Sequence, residues 1–212
     1  MILYSYYRST SSYRVRIALE LKRVRYRVEP VNLVLDGGQH HSAEYLEINP
    51  QGRVPTLIDG DTKVIQSPAI IEYLEEIYPS VPLLSADAAE RALARSVAAI
   101  IACDIHPLHN VSVLNKLRGA GHDEAYVQQW IRDWISAGFT AVEELIGESG
   151  WALGETPGLA DVYLLPQIYA ARRFGLDVDA AFPKIARVEQ LAAEHPAFQR
   201  AHPSNQIDAP PT

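Results

Sequence analysis

Three successive hydroxyl side chains, Ser9-Thr10-Ser11, follow a short predicted strand and begin a predicted helix. Hydroxyl groups and the unpaired backbone N–H groups of a first helical turn can hydrogen-bond an anion, and the helix dipole favours its negative charge. The segment is therefore a candidate site for an anion. The alternative is that these hydroxyls only cap the helix.

A second helix start lies at Gln66-Ser67-Pro68. Serine caps helices well and proline suits the first helical position, so we expect Ser67 to cap a helix that runs to about Tyr78. The N-terminus of this helix would attract a carboxylate, and the Gln66 amide would add a hydrogen bond to the same ligand. Capping and ligand binding are compatible at this position.

Metal chemistry and protein-thiol chemistry find little support in the sequence. His106 and His109 are neighbours, but no further ligands cluster near them, so we expect no metal site. Cys103 is the sole cysteine among the 212 residues, which excludes an internal disulfide and is typical of a reducing compartment. It lies on an apolar helical stretch, where we expect it to be buried and inert.

The chain carries a formal net charge of −7. Nucleic acids and anionic membranes would be repelled by such a surface, whereas an anionic small substrate is compatible with it if local cations receive the substrate. The start of the chain reaches Arg8 after too short an apolar run for a signal peptide. We also find no apolar stretch near the roughly 20 residues that span a bilayer. A cytoplasmic location is therefore expected.

The elements that must position these residues change in kind along the chain. Over the first 80 residues short strands alternate with helices, and an Asp59-Gly60 hairpin signal precedes the last strand. The predicted elements are a strand at 2–6, a helix at 12–23, strands at 25–33, 56–58 and 63–65, and the helix after Gln66. This order is typical of a thioredoxin-like α/β fold.

After a predicted linker at 79–85, the apolar spacing is helical only. The predicted helices are 87–117 with an interruption at Pro107, then 123–146, 158–174 and 183–194. Asp161 lies three residues after Gly158, the spacing of a capping box, and we expect its role to be structural. The sequence thus predicts an α/β domain over 1–80 and an all-α domain over 86–212.

Several motifs together resemble the zeta class of glutathione transferases. The stretches that carry the resemblance are 8–19, Asp36-Gly37-Gly38-Gln39, 49–57, 66–75, 105–112 and 158–167. They cover nearly the whole chain in the order of the family. The Val-Pro-Thr-Leu block at 54–57 and Gln66-Ser67 mark the general fold, whereas the first two stretches are closer to the zeta class specifically.

The resemblance implies the glutathione transferase fold, a thioredoxin-like N-terminal domain followed by an all-α C-terminal domain, in a homodimer. It also implies glutathione as the cofactor and a small dicarboxylate as the substrate. The expected reaction is cis–trans isomerisation of maleylacetoacetate to fumarylacetoacetate in aromatic amino-acid catabolism. Thiolate addition, rotation and elimination would return glutathione unchanged.

By the same resemblance, Ser9, Thr10 and Ser11 would be catalytic and would hold the thiolate. The other implied glutathione contacts lie in both domains: His40, Val54 beside a cis Pro55, Gln66, Ser67, His106, Asn110 and Ser112. Arg8 and Arg173 would bind the substrate's carboxylates, because a planar guanidinium can hold a carboxylate bidentately. The family usually has a cysteine where this chain has Ser11, so no protein thiol is expected in the site.

Alternatives stay open at this point. Other transferase classes activate the thiol with a tyrosine near the end of the first strand, and Tyr4, Tyr6 and Tyr7 are available. His40 is equally compatible with a solvated loop, and Arg173 with an exposed helix end. The substrate could instead be maleylpyruvate or an α-halo acid. A non-catalytic interaction module with this fold is the alternative from a different functional class.

Overall fold

The computed structural model describes residues 1–211, except for the side chain of Asp36. Thr212, the last residue of the predicted all-α domain, and the Asp36 side chain of the motif at 36–39 lie outside that description. The chain separates into two compact units. The first combines Met1–Pro82 with the residues from Glu194 onward, and the second is Leu83–Ala193.

Within the described residues, the first unit is built on a four-stranded mixed sheet in the order β2-β1-β3-β4. The strands are β1 (Ile2–Ser5), β2 (Arg27–Pro30), β3 (Thr56–Asp59) and β4 (Thr62–Ile65). β1 is parallel to β2 and antiparallel to β3, and β3 is antiparallel to β4. Leu3 of β1 lies opposite Leu57 of β3, and both are fully buried. Gly60 turns the last hairpin at a φ of 57°, a conformation that favours glycine.

Helices cover the sheet and form the second unit. Across residues 1–211 the α-helices are α1 (Thr10–Leu21), α2 (Ala43–Ile48), α3 (Ser67–Ile77), α4 (Ala88–Ala99), α5 (Val111–Gly119), α6 (Glu124–Leu145), α7 (Leu159–Arg173), α8 (Val178–Ala181), α9 (Pro183–Glu194) and α10 (Pro196–Ala201). α1 packs against α3 and α10 and is buried along most of its length. Its buried residues include Arg14 and Arg16, whose charges must find polar partners inside the unit.

Arg16 ties α1 to the end of β1 and to the C-terminal part of the chain. Its guanidinium donates to Ser5 Oγ at 3.1 Å and to the Tyr7 carbonyl at 2.9 Å. It also donates to the Ala201 carbonyl at 3.0 Å, across 185 positions of sequence. The buried cation therefore fixes the backbone that leads from β1 into the Ser9 segment.

The predicted helix over 87–117 is divided into four pieces in the second unit. α4 is followed by a π-helical segment, Ile100–Ile105, and by a 3₁₀ segment, His106–His109, before α5 begins. Pro107 explains the interruption, because proline lacks the N–H that an α-helix needs. Gly138 of α6 faces the π segment, and a Cβ atom there would come within 2.3 Å of the Ile105 side chain. Only glycine allows this close approach.

By length and composition, the run Ala88–Gly119 is long and apolar enough to cross a membrane. This finding contradicts our expectation that no apolar stretch of the chain has the length of a membrane span. Its most apolar 18-residue window has a mean hydropathy of 1.4, and 33% of that window is buried. Core helices of globular proteins pass the same test, and this run is broken at the π and 3₁₀ segments. A single such helix is weak evidence for a membrane span.

Asp161 closes the start of α7, which confirms the structural role predicted for it. Its carboxylate accepts the Gly158 N–H at 2.8 Å and the Ala152 N–H at 2.9 Å. The residue is 1% exposed, and this burial raises the pKa of its carboxyl to about 6, against the opposing effect of the two N–H donors. This helix start therefore contains its own anion.

The order of strands and helices agrees with the predicted fold class. The short helices α2, α8 and α10 were not predicted, because four to six residues are too few to show a helical period. β2 is also shorter than the predicted strand at 25–33. The division into domains at 1–80 and 86–212 stays a prediction, although by packing the residues from Glu194 onward belong with the first unit.

Candidate active site

Ser9 is the N-cap of α1. Its backbone is extended, at φ −68° and ψ 119°, and its Oγ accepts the Ser12 N–H at 3.2 Å. The Ser9 N–H in turn donates to the Tyr6 carbonyl at 3.0 Å, which closes a tight turn between β1 and α1. A hydroxyl that accepts a backbone N–H keeps its own proton for donation. Capping the helix and hydrogen-bonding a thiolate are therefore compatible functions of Ser9.

The other hydroxyls of this segment differ in exposure. Thr10 is 6% exposed and Ser12 is fully buried, whereas Ser9 and Ser11 are half-buried. Ser12, which was not predicted as a site residue, contributes its backbone N–H to the cap. Of the predicted catalytic hydroxyls, those of Ser9 and Ser11 belong to the more accessible residues.

The tyrosines near the end of β1 have different surroundings. Tyr4 packs on Tyr45, with ring centroids 5.9 Å apart, and Tyr6 meets Tyr7 edge to face at 4.8 Å. Tyr6 is buried, and this burial raises the pKa of its phenol, against the attraction of the Arg8 charge. The phenol therefore stays protonated at neutral pH, and a hydrogen bond from a tyrosine to a thiolate remains an alternative to Ser9.

Val54-Pro55 is a cis peptide, which confirms the isomer predicted for it. The segment before it is fixed from the side of α2. The Arg53 carbonyl accepts from Tyr45 Oη and from Asn49 Nδ2, each at 2.7 Å. The loop that carries Val54 is therefore held in one place.

The start of α3 differs from the prediction. Ser67 is the first helical residue and not the cap, because the non-helical residue before the helix is Gln66, at φ 73° and ψ 121°. No side chain caps this helix within the described residues. The Gln66 amide donates to Gln51 Oε1 at 2.6 Å, which orients the side chain. A non-glycine residue with positive φ is strained, and such residues cluster at functional sites.

Arg14 lies behind this helix start and was missed by the sequence analysis. It is 1% exposed, and its Nη1 donates to Ser67 Oγ at 3.5 Å. The uncapped N–H groups of α3 and a buried guanidinium thus lie together, an arrangement that favours a carboxylate. The available signal was an arginine beside the apolar Val15 in α1.

His40 lies in a loop before α2 and is half-buried. Its ring packs on His41 with centroids 3.8 Å apart, and its Nδ1 is buried without a hydrogen-bond partner among residues 1–211. Burial lowers the pKa of the imidazole below its usual value, with a smaller contribution from His41. The ring is therefore neutral at neutral pH.

The predicted site residues of the second unit surround the 3₁₀ segment. Asn110 caps α5, and its Oδ1 accepts the Ser112 N–H at 3.1 Å and the Ser112 hydroxyl at 3.0 Å. His106 meets His109 edge to face at 5.2 Å. His109, which was rejected as a metal ligand and not otherwise assigned, is buried and paired with Gln167 of α7 at 3.0–3.2 Å.

Arg173 and His106 belong to one aromatic cluster in this unit. His109 contacts the Phe174 ring at 5.7 Å, and the Arg173 guanidinium lies over the same ring at 4.7 Å. The neighbouring Arg172 is instead held by Asp179 and Glu189 in a network of ion pairs. The Arg172 guanidinium is therefore engaged by carboxylates of its own chain, and the assignment of Arg173 to a ligand's carboxylate stays a prediction.

Known proteins match the chain along its length. The model of the glutathione S-transferase N-terminal domain matches residues 3–82, and that of the C-terminal domain matches residues 132–196. The maleylacetoacetate isomerase of Pseudomonas aeruginosa is 63% identical over 211 residues, which cover 99% of each chain. The chain belongs to the glutathione S-transferase family.

Solved structures of this family are similar to the structure of this chain. A maleylpyruvate isomerase described as a bacterial glutathione S-transferase of the zeta class superposes with a TM-score of 0.94 at 46% identity, over 99% of this chain and 100% of the other. A maleylacetoacetate isomerase from Anaeromyxobacter dehalogenans has a TM-score of 0.87 at 38% identity, over 99% and 94%. That protein holds dicarboxyethyl glutathione and citrate in its active site. The fold class and family predicted from the motifs are confirmed.

Cys103 corrects one further expectation about this glutathione S-transferase. It is exposed on the π segment rather than buried, because the π turn shifts the helical register that the apolar pattern suggested. Across residues 1–211, no group of three or more His, Cys, Asp or Glu side chains is arranged to hold a metal ion.

Proposed function

We propose that this glutathione S-transferase is a glutathione-dependent cis–trans isomerase that converts maleylacetoacetate to fumarylacetoacetate. The observation that carries the proposal is the Ser9 hydroxyl, which accepts the Ser12 N–H at the start of α1 and keeps its proton for a thiolate. The 63% identity to a maleylacetoacetate isomerase supports the choice of reaction.

The residues of the first unit fit glutathione. Ser9, Thr10 and Ser11 would surround its thiolate at the positive end of α1, and the Val54 backbone would bind its cysteinyl unit. At the start of α3, the free N–H groups, Ser67 and the guanidinium behind it suit the γ-glutamyl carboxylate. Gln66 would add an amide contact, and neutral His40 would bind the glycyl end.

When bound, glutathione supplies the thiolate that adds to the double bond and later leaves, so that the bond rotates while it is single. The chain's part is to keep the sulfur ionised and oriented. The Ser9 hydroxyl would donate to it, and the first turn of α1 would add its dipole. Ser11 stands where the family usually has a cysteine, so the chain offers no competing thiol there.

Arg8 and Arg173 would receive the two carboxylates of the substrate. Arg8 is exposed next to Ser9, and Arg173 is exposed at the end of α7. His106, Asn110 and Ser112 would contact the cofactor, as the family resemblance implies. The net charge of −7 makes such local cations necessary, because the overall field repels a dianion. We further propose that the enzyme is cytoplasmic and that it forms a homodimer, of which the family resemblance implies the second.

A spectrophotometric assay tests the proposal directly. Maleylacetone, with and without glutathione, should isomerise only when glutathione and the protein are both present. The concentration of free thiol should be the same before and after many turnovers. Stoichiometric loss of thiol would show a conjugating transferase instead. Failure to bind a glutathione column would favour the non-catalytic interaction module.

Maleylpyruvate is the second candidate substrate. It is favoured by the structural similarity to a maleylpyruvate isomerase at a TM-score of 0.94. Both substrates are cis enedioate ketones and would use the same sulfur chemistry. The ratio of kcat/KM for maleylacetoacetate and maleylpyruvate decides between them, and a value above one supports the first proposal.

A further inference from the structure

The residues that follow α9 form a C-terminal strap, defined here as residues 195–209, which packs on α1 within the first unit. α10 and a 3₁₀ turn, Pro203–Asn205, lie within it. His202 of the strap meets Tyr13 of α1 edge to face at 6.0 Å. Arg200 forms an ion pair with Glu20 at 2.6 Å. The strap is therefore anchored along the outer side of α1.

The end of the strap reaches the turn that carries Ser9. Asp208 Oδ2 accepts the Tyr7 N–H at 2.8 Å, across 201 positions of sequence. Its other oxygen, Oδ1, is buried without a hydrogen-bond partner among residues 1–211. A carboxylate that accepts a backbone N–H forms a charge-assisted hydrogen bond, roughly twice as strong as a neutral one.

The turn between β1 and α1 is thus held from two sides by charged side chains. The peptide group between Tyr6 and Tyr7 contacts Arg16 through its carbonyl, at 3.5 Å, and Asp208 through its N–H. Arg16 also holds the Tyr7 carbonyl at 2.9 Å. The Tyr6 carbonyl in turn accepts the Ser9 N–H. Any rotation of this peptide would move Ser9.

We propose that Asp208 is a positioning residue for the Ser9 hydroxyl, acting through the Tyr6–Tyr7 peptide. The proposal rests on the function proposed above, because it assigns the strap a part in orienting the donor to the thiolate. Asp208 would act through this peptide and not by contact with a ligand. Its negative charge would oppose a nearby thiolate, so its benefit must come from geometry, and a neutral acceptor of the same shape should preserve it.

The test compares three variants of the full-length protein. Asp208→Ala removes the acceptor, and Asp208→Asn keeps a carbonyl that can accept the Tyr7 N–H. Arg200→Ala is the matched control, because it breaks a strap contact to α1 that does not involve the turn. For each, ultraviolet absorbance gives the pKa of the bound glutathione thiol, fluorescence gives the Kd of glutathione, and kinetics give kcat and KM.

We expect Asp208→Ala to raise the pKa of the bound thiol by about one unit and to lower kcat about tenfold, which correspond to the same free energy. At a pH below the pKa of the bound thiol, the Kd of glutathione should change less than about threefold, because the neutral thiol gains little from the Ser9 donor. Asp208→Asn and Arg200→Ala should resemble the wild type. Thermal unfolding would show whether Asp208→Ala is folded. If it is not, the same measurements are made on Asp208→Asn, which can accept the Tyr7 N–H, and on Asp208→Leu, which cannot.

A bound thiol that titrates as in the wild type in the Ala or Leu variant would overturn the proposal, as would an equal loss in Arg200→Ala. The thiol titration needs no turnover. A wild-type protein that ionises glutathione but does not isomerise an enedioate would therefore refute the proposed function and leave the test of Asp208 intact.

Discussion

Two helix starts in the first unit prepare for an anion in different ways. At α1 a hydroxyl caps the helix from an extended backbone, and its proton stays available. At α3 no side chain of the described residues caps the helix, the preceding Gln66 has a positive φ, and Arg14 lies behind Ser67. A thiolate exists only if the site stabilises it, so a proton donor is needed, whereas a carboxylate is already charged and needs a cation and free N–H groups. The start of α1 is thus suited to ionise a thiol, whereas the start of α3 is suited to bind an anion that is already charged.

Replacing Ser9 should have the largest effect on this comparison. Ser9→Ala should lower kcat roughly a hundredfold and raise the pKa of the bound thiol, because loss of one preorganised donor costs about 3 kcal/mol. Stopped-flow and pH-dependent kinetics measure both. Ser42→Ala is the matched control, since Ser42 caps α2 by an identical 3.2 Å bond from the Tyr45 N–H. Normal activity in Ser9→Ala, with loss in Tyr6→Phe or Tyr7→Phe, would transfer the role to tyrosine.

The arginines proposed to bind the substrate's carboxylates should act independently of both helix starts. Arg173→Ala and Arg8→Ala should each raise the KM for an enedioate ten- to a hundredfold, by loss of a charge-assisted hydrogen bond of about 1.5–3 kcal/mol. The Kd of glutathione should not change. Arg172→Ala serves as the control because its guanidinium is engaged by Asp179 and Glu189. Equal losses on a diester analogue would mean that these arginines support structure instead.

The start of α3 should affect affinity and not ionisation. Arg14→Met should weaken glutathione binding about tenfold, because an apolar chain of similar length removes the buried charge behind Ser67. Calorimetry should find no such loss for a glutathione analogue that lacks the γ-glutamyl carboxylate, and the pKa of the bound thiol should stay as in the wild type. A raised thiol pKa would contradict the separation of the two starts.

The start of α7 gives the smallest functional effect, since Asp161 already supplies its anion. Burial raises the pKa of this carboxyl to about 6, whereas in the unfolded chain it is about 3.9. The unfolded state therefore loses this proton first, and the free energy of unfolding should fall by on the order of 2–3 kcal/mol as the pH rises from about 4 to 6. Urea titrations should find that fall missing in Asp161→Ala, with glutathione affinity unchanged. A fall of the same size in the variant would assign it to other groups.

The parts of the site that could be predicted share local signals. A strand followed by Ser9-Thr10-Ser11 predicts a helix start, and Pro55 predicts a cis bond through its similarity to thioredoxin-like folds. Ser67 was misplaced by one position because the positive φ of Gln66 depends on tertiary contacts, among them the hydrogen bond to Gln51. Sequence patterns do not report such contacts.

The residues that the sequence did not predict owe their roles to partners that are distant along the chain. Arg14 and Arg16 lie in the helix predicted at 12–23, and arginine is usually exposed. Their burial follows from contacts with Ser67, Ser5 and Ala201, between 11 and 185 positions away. Asp208 lies in a polar segment without periodicity, and its partner is a backbone N–H. The exposure of Cys103 depends on a π turn that no composition rule indicates.

The pairing of Arg16 with Ala201 also constrains the order of events during biosynthesis. The two residues are 185 positions apart, and a ribosome adds about 5–20 residues per second. The strap therefore follows α1 out of the ribosome by roughly 10–40 s. In that interval the whole second unit, Leu83–Ala193, is translated and able to begin folding. The nascent chain thus carries an incomplete first unit, with α1 lacking its partner, until the strap has been translated.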